Sequence, residues 1–182
     1  MQLLTVGHGT ARQENFLRLL TDQGVERLVD VRTAPGSRRH PHFRSQAMEG
    51  WLAEAGIGYR WERALGGWRK LAPDSPNTAL RNESFRGYAD YMRTGQFWEA
   101  LQSLTQQAEG ERTVVMCSES LWWRCHRRLL ADAAILALGV EVLHLMHDRR
   151  LVRHHLTGGV RLGEEGLPVY DVGGAPTLPD VG

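Results

Sequence analysis

The sequence predicts an α/β fold: a single domain with a mostly parallel sheet, helices on both faces, and a site at the carboxyl ends of the strands. Short apolar segments alternate along the chain with longer amphipathic ones, which is the pattern of strands joined by helices. Three apolar segments end in polar groups, at Gly7-His8-Gly9, Asp30-Val31-Arg32 and Cys117-Ser118-Glu119. Because ligands of such sheets bind beyond the carboxyl ends of the strands, near a switch in strand order, we expect these groups to meet at one edge.

The size and composition are those of an ordinary soluble domain. A chain of 182 residues with 42% hydrophobic and 24% charged residues can bury a core without disulfides or metal. We place the domain at residues 1–157 and predict that the Gly- and Pro-rich segment 158–182 forms a loosely ordered tail. The formal net charge of +1 gives no general argument for binding nucleic acid or a membrane.

The first half of the chain contains three predicted strands and two predicted helices. The apolar run at residues 3–6 predicts a buried strand. In the helix that follows, Phe16, Leu19 and Leu20 fall on one face, and Gly24 is a stop signal. The next elements are a strand at 25–32, a loop at 33–43, a helix at 45–56 with Ser45 as its N-cap, and a strand at 57–65.

The second half begins with an irregular segment at residues 66–84, which has the composition of a flap. Helical periodicity then extends over residues 85–110, with a break predicted near Gly95. The strand at 112–117 carries the clearest pattern of the chain, and it is followed by a helix at 125–139 that stops at Gly139 and by a strand at 140–148.

The sequence predicts a cytoplasmic protein that has no membrane partner. No apolar run approaches the ~20 residues that a membrane-spanning helix needs, and the N-terminal residues lack a basic leader. Two cysteines within one short stretch do not make a disulfide framework, so a reducing compartment is expected. No oligomeric state and no cofactor is predicted.

The stretch MCSESLWWRCHRR, residues 116–128, contains both cysteines and is the strongest candidate for chemistry. Cys117 is predicted to end a strand and Cys125 to begin a helix, whose N-terminus favours thiolates and bound anions. Arg124 and Arg127 would add positive charge and hold an anionic substrate. Two interpretations stay open: reactive or ligating thiols, and small buried hydrophobic side chains.

Acid–base chemistry and metal binding are two further possibilities for this stretch. Glu119 and His126, with His8 from the first strand, have the side chains of general acids and bases. Glu119 is equally consistent with pairing to a nearby arginine or with capping a helix. Because the adjacent residues 125 and 126 rarely both face one ion, we predict no metal ligands.

The segment RTAPGSRRHPHFR, residues 32–44, is basic and contains no acidic residue. Arg32 and Arg38 are candidates for binding phosphate, with Asp30 beside them and Phe43 available for stacking. The alternative is a solvated loop. All but one of the 22 basic residues are arginine, which suits bidentate anion binding but is also typical of a GC-rich genome.

Two further motifs have ordinary structural explanations. Tyr88 in FRGYADYM is a candidate substrate contact, but the spacing of Phe85, Tyr88 and Met92 is also that of core packing. The histidine pair in LVRHHLT, residues 151–157, is predicted to be exposed.

Several motifs together resemble one family. TVGHGT, LVDVRTAPGSRRHPHF, YRWERALGG, FRGYADYM and VVMCSESLWWRCHRRLLAD occur in the order seen in the family of domain of unknown function 488, and the resemblance covers about residues 3–148. It implies a compact bacterial or archaeal α/β domain and brings no activity. The family usually has Ser after Gly-His, whereas this chain has Gly9 and Thr10. The site residues that the resemblance implies are His8, Asp30, Arg32, Cys117, Glu119, Cys125, His126 and Arg127.

A weaker similarity is to rhodanese-type domains, which also have Asp-x-Arg and a strand that ends in Cys before an anion-binding loop and a helix. Our leading hypothesis is an enzyme whose Cys/His/Glu/Arg site binds a phosphorylated or nucleic-acid-derived anion. The alternatives are a non-catalytic nucleic-acid-binding module and a metal-stabilised domain.

Overall fold

The structure, a computed structural model that describes residues 1–173, has the predicted α/β architecture. Six strands form one sheet in the order β3-β2-β4-β1-β5-β6, in which every pair is parallel except β5 with β6. Within residues 1–173, no helix combines the length and apolar character needed to cross a bilayer. The strands of this sheet are β1 Gln2–Gly7, β2 Arg27–Asp30, β3 Gly58–Trp61, β4 Thr113–Cys117, β5 Glu141–Leu145 and β6 Leu151–Arg153.

The helices follow the predicted order, with differences at their ends. They are α1 Gln13–Asp22, α2 Ser45–Glu54, α3 Glu83–Tyr91, α4 Gly95–Gly110 and α5 Arg127–Leu138. Ser45 is the first helical residue of α2 and not its N-cap, which is Arg44 and forms no side-chain cap. The predicted break near Gly95 is confirmed, because α4 begins there and Thr94 caps it by accepting from the Phe97 N–H at 3.4 Å. Gly139 ends α5 in the left-handed conformation that favours glycine, with φ of 65°.

Side chains of the central strands alternate between the two faces of the sheet, so the core has two layers. In β4, Val114 and Met116 pack with α1 and α2, whereas Val115 and Cys117 pack with α3, α4 and α5. Successive side chains of a strand point to opposite faces, so this pattern follows from the period of two. Cys117 therefore lies on the same face of the sheet as α5, the helix that follows it.

A hairpin of β7 Val160–Leu162 and β8 Pro168–Tyr170 follows the main sheet. It lies in the segment for which the sequence predicted loose order, and residues 174–182 of that segment lie outside the described residues. Tyr170 is fully buried, and its hydroxyl donates to Asp132 of α5 at 2.9 Å. Its backbone N–H donates to Asn77 at 3.1 Å. One buried aromatic residue thus attaches a Gly-rich hairpin to the domain.

The prediction that both histidines of LVRHHLT are exposed is wrong for His154. Its side chain is buried between Asp132, whose Oδ1 lies 2.8 Å from Nε2, and His144, whose Nε2 lies 2.9 Å from Nδ1. His144 in turn lies 2.7 Å from Thr5 Oγ1. Sequence spacing could not reveal this contact, because β6 turns back along β5 and brings residues 144 and 154 together.

Burial, together with the charge of His154 and Arg127, lowers the pKa of His144 to about 2. Its ring is therefore neutral in the folded protein at neutral pH. In the unfolded chain the same ring takes up a proton near pH 6.5. The stability that this difference contributes is present above pH 6.5 and is lost as the pH falls toward 2.

Because His144 takes up one proton on unfolding, we expect it to contribute a fall in the free energy of unfolding of about 1.4 kcal/mol per pH unit below pH 6.5. His8, whose pKa is lowered to about 4, adds a separate contribution in the same range. The measurement is urea denaturation from pH 7 to pH 4.5. His144→Gln should reduce the slope by about one proton, whereas His155→Gln, at an exposed position next to His154, should leave it unchanged. Equal slopes for wild type and His144→Gln would contradict the assignment.

Candidate functional site

The carboxyl ends of β1, β4 and β2 lie side by side at one edge of the sheet. The His8 N–H donates to the Cys117 carbonyl at 3.0 Å, and the Val31 N–H donates to the Met116 carbonyl at 2.9 Å. The three polar segments that the sequence singled out are therefore adjacent. They surround a cavity of about 260 Å³ whose lining includes His8, Arg32, Ser37, Trp68, Cys117 and His126.

Arg32 is the arginine of this cavity, and Asp30 fixes its position. Asp30 is fully buried and accepts from Arg32 Nε at 2.9 Å, from the Arg32 backbone N–H at 3.0 Å, and from the Tyr59 hydroxyl at 2.8 Å. Burial opposes the charge of Arg32, but the hydrogen bonds and the charge of Asp30 outweigh it and raise the pKa of Arg32. A positive charge is thus held at the cavity wall.

His8 orients Arg32 and has no nitrogen left to act as a base. Its Nε2 lies 3.3 Å from Arg32 Nη1, which can only donate, so the proton of the ring is on Nδ1, 2.9 Å from the Gly9 carbonyl. Burial, and next the charge of Arg32, lower the pKa of His8 to about 4. His8 also stacks on Phe43 with ring centroids 4.2 Å apart. Phe43 is fully buried in this contact, so its predicted availability for stacking on a ligand is wrong.

Cys117, Cys125 and His126 form a cluster at the base of the cavity. His126 Nδ1 lies 3.9 Å from Cys117 Sγ and 3.7 Å from Cys125 Sγ, and the three ligand atoms lie within 4.8 Å of one another. Both cysteines are buried free thiols, and only Cys117 lines the cavity. Contrary to the expectation from the sequence, the side chains of the adjacent residues 125 and 126 face one point, and the cluster has the donors of a metal site.

Arg127 supports this cluster from inside the protein and does not line the cavity. Arg127 is 1% exposed, and its guanidinium donates to Cys125 Sγ at 3.4 Å, to Thr5 Oγ1 at 3.4 Å, and to the Glu119 carbonyl. Two of these bonds join α5 to the loop that precedes it, and the third joins α5 to β1. The predicted role of Arg127 in binding a substrate anion is therefore replaced by a structural one.

The two thiols differ in their electrostatic surroundings. Burial opposes ionisation of Cys125, but the Cys117 thiol and the charges of Arg127 and His126 outweigh it, so the pKa of Cys125 is lowered. Interaction with Cys125, followed by burial, raises the pKa of Cys117. Of the two sulfurs, Cys125 is therefore the one whose surroundings favour negative charge.

Four other predicted site residues lie elsewhere. Tyr88 is buried beneath the cluster, where its ring meets that of His126 edge-on at 4.9 Å and its hydroxyl donates to the Leu65 carbonyl at 3.0 Å. Core packing is thus its role. The Glu119 carboxylate is exposed and caps the following turn by accepting from the Leu121 N–H at 3.2 Å. Arg38 and Arg124 are exposed outside the cavity.

Sequence reasoning missed the contribution of the irregular segment at residues 66–84. Gly67 packs against the cluster so closely that a Cβ on it would lie 2.9 Å from His126 Nδ1. The next residue, Trp68, lines the cavity and is 86% exposed. A tryptophan between glycine and arginine in a segment without periodicity is the one signal that could have drawn attention to it.

Gly7 and Gly9 permit the close approach of the loop after β4. A Cβ on Gly7 would overlap the Glu119 carbonyl, and one on Gly9 would overlap the Ser120 hydroxyl. Gly9 also has φ of +53°, a conformation that other residues rarely adopt. Glycine at position 9 thus has a physical reason in this chain: the Ser120 side chain occupies the space that a Cβ would need.

One comparison with known proteins gives a match. The family model described as Domain of unknown function DUF488 matches residues 12–134, about two thirds of the chain. The matched range contains Asp30, Arg32 and the whole Cys117–His126 cluster, whereas His8 precedes it. No curated protein and no solved structure matches the chain.

We expect Gly9→Ala to lower the free energy of unfolding by about 1–3 kcal/mol, because it combines positive φ with overlap on Ser120. Urea denaturation of Gly9→Ala, Ser120→Gly and the double variant measures the coupling. Removing the Ser120 side chain should recover the steric part of the cost and leave the part due to φ. An equal cost in both backgrounds would contradict the packing described above.

Proposed function

The chain belongs to the DUF488 family, whose description names no activity, and we propose from its cavity that it is an enzyme acting in the cytoplasm on a small anionic substrate. Arg32 binds the anionic group, and Cys117 is the nucleophile. The observation that carries the proposal is that Cys117, His126 and Arg32 line one cavity of about 260 Å³. Convergence of a thiol, an imidazole and a buried cation in a cleft is typical of sites for covalent catalysis.

Arg32 is suited to binding an anion because its orientation is set before the anion arrives. Asp30 holds Nε and Nη2, His8 lies against Nη1, and the side chain is 7% exposed. Nη1 carries a second N–H beyond the one directed at His8. A guanidinium held in this way forms charge-assisted bonds to carboxylate or phosphate oxygens without losing further side-chain entropy.

Cys117 is the thiol that a substrate in the cavity can reach, and two groups are placed to take its proton. The Cys125 sulfur and His126 Nδ1 both lie beside Cys117 Sγ. Arg127 donates to the Cys125 sulfur and favours negative charge on it, and His126 Nδ1 is the group that takes the proton of Cys117. Cys117 can therefore be deprotonated as it attacks, although its own pKa is raised.

The chemistry that this arrangement supports is nucleophilic substitution in two steps. Cys117 gives its proton to His126 as its sulfur forms a bond to the electrophilic atom of the substrate, and the leaving group departs with its electron pair and takes that proton from His126. Water then attacks the electrophilic atom of the sulfur-bound intermediate and gives a proton to His126, while the bond to sulfur breaks with its electron pair on Cys117. His126 returns the proton to the sulfur, which restores the Cys117 thiol. No oxidant or reductant is needed.

Alkylation of Cys117 tests the site without knowledge of the substrate. Iodoacetate carries the negative charge that Arg32 is proposed to bind, and iodoacetamide is its neutral analogue. We expect Arg32→Gln to reduce the ratio of the two alkylation rates at Cys117 by about tenfold, since a fixed charge in a cleft raises the local concentration of counter-ions by about 10-fold or more. Mass spectrometry of the labelled peptide measures both rates.

Two variants serve as controls for this experiment. Arg32→Lys keeps the positive charge and should retain most of the preference for iodoacetate, whereas Arg124→Gln removes an exposed arginine outside the cavity and should change nothing. The proposal is rejected if Arg124→Gln and Arg32→Gln lower the ratio equally, or if Cys117 in the folded protein reacts with neither reagent.

A second candidate, a metal-stabilised domain, is favoured by the cluster itself. Two sulfurs and one imidazole nitrogen within 4.8 Å are the donors that Zn²⁺ prefers, and the cavity would leave the fourth position open. In that case both sulfurs would be ligands and neither would be a nucleophile.

Elemental analysis of the purified protein separates the two candidates. The thiol mechanism predicts less than about 0.1 metal ions per chain and full labelling of two cysteines by a thiol reagent in denaturant without a chelator. A stoichiometric metal that is lost in both Cys117→Ser and Cys125→Ser, but retained in Arg124→Gln, would replace the thiol mechanism by the metal site.

A further inference from the structure

We infer that the substrate is a nucleotide whose base stacks on Trp68 while its phosphate lies at Arg32. The inference rests on the proposed function, since it names the substrate class of the same cavity. Trp68 lines this cavity with Arg32 and Cys117, and at 86% it has the most exposed large apolar side chain among residues 1–173. An exposed indole next to an anion-binding arginine offers a surface for a planar ring.

The backbone on the N-terminal side of Trp68 is fixed against the cluster. Gly67 lies on His126, where a Cβ would leave only 2.9 Å to Nδ1, and the Gly67 carbonyl accepts from Thr33 Oγ1 at 2.9 Å. Thr33 follows Arg32 directly and also lines the cavity. The position of the indole is thus tied to the same loop that carries the anion-binding residue.

The backbone on the other side of Trp68 is fixed as well. Arg69 donates from Nε to the Gly66 carbonyl at 3.1 Å and from Nη2 to the Arg63 carbonyl at 3.1 Å. Its guanidinium lies 3.7 Å from the centre of the Tyr91 ring. Trp68 therefore stands between two anchored neighbours, and its exposure does not come from a loose loop.

The conformation of Trp68 is itself unusual. Its φ is +49°, and within residues 1–173 the only other non-glycine residue with positive φ is Arg149. Bulky side chains rarely adopt this conformation, and residues that do so cluster at ligand-binding sites because the surrounding structure must impose it. Here the anchored neighbours impose it, and the result is an indole ring directed away from the core.

The charge around the cavity favours a phosphate. None of the described residues that line it is acidic, and Arg32 is buried in its wall. Arg38 and Arg39 are exposed directly after Ser37, which is part of the lining. A ligand that carries both a ring and a phosphate would use the indole, the fixed arginine and this outer positive field together.

The dimensions favour a single nucleotide over a nucleic-acid strand. A cavity of about 260 Å³ suits one small ligand. Binding of a strand uses a groove along which successive bases stack on several aromatic rings. Phe43, the aromatic residue of the basic loop, is fully buried and cannot supply a second stacking surface.

Protection of Cys117 from alkylation by iodoacetamide provides the test. The probes are the four ribonucleoside 5′-monophosphates, ribose 5-phosphate, which lacks the base, and adenosine, which lacks the phosphate. We expect at least one monophosphate to protect Cys117 at a concentration about tenfold or more below that of ribose 5-phosphate, because stacking of one base on an aromatic ring strengthens binding by about this factor or more. Adenosine should protect more weakly than AMP.

Substitution of Trp68 should remove only the part of the binding affinity that the base contributes. In Trp68→Ala the best monophosphate should protect no better than ribose 5-phosphate, and protection by ribose 5-phosphate should be unchanged. Trp68→Phe keeps a ring and should retain most of the difference. Leu156→Ala is the control, since Leu156 is an exposed apolar residue outside the cavity lining, at 45% exposure, and it should behave as wild type.

The outcomes separate the inference from the function on which it rests. If ribose 5-phosphate and the monophosphates protect equally well, or if Trp68→Ala leaves their difference intact, base stacking is rejected while anion binding at Arg32 stands. If no probe protects at millimolar concentration, and the iodoacetate preference is also absent, both proposals fail. Binding of an oligonucleotide far tighter than any monophosphate would overturn the choice of a single nucleotide.

Discussion

A buried guanidinium holds the candidate site together. Arg127 begins α5, and its side chain bonds to Cys125, to the carbonyl of Glu119 in the loop after β4, and to Thr5 of β1. Arg127 is 1% exposed, and its charge needs hydrogen-bond partners within the protein because an unpaired buried ion is far too costly. The loop, the first strand and the helix are thus constrained by one group. The His144 ring of β5 is connected to the same group, since its Nδ1 lies 2.7 Å from the Thr5 hydroxyl.

Two buried arginines, Arg127 and Arg32, place positive charge at two different parts of the site. Arg127 faces inward, where it stabilises the Cys125 sulfur, whereas Arg32 lines the cavity and is held by Asp30. Each guanidinium forms fixed hydrogen bonds on the side turned to the protein. They differ in their remaining contacts: Arg127 donates to the Glu119 backbone carbonyl, whereas Arg32 lines the cavity. The proposed thiol site and the proposed anion site are therefore served by different arginines.

Much of the fold could be predicted from patterns along the chain, because strand and helix periods are local properties. The five principal strands of the parallel sheet, the five helices and the break at Gly95 follow from such patterns. The antiparallel strand β6 and the hairpin β7–β8 were not predicted. Each of these strands has only three residues, too few for a period to show. The hairpin is held by long-range contacts such as that of Tyr170 with Asp132, which no local pattern encodes.

For the site, the sequence by itself determined which segments meet, because parallel strands bring their carboxyl ends to one edge. Only the tertiary structure decided what each side chain does there. Arg127 and Tyr88 turn inward, Glu119 turns to solvent, and Trp68 joins the cavity from a segment without periodicity. The physical reason is that a role depends on which side of a close-packed wall a side chain occupies, and differences of a few ångströms there leave no trace in residue type or spacing.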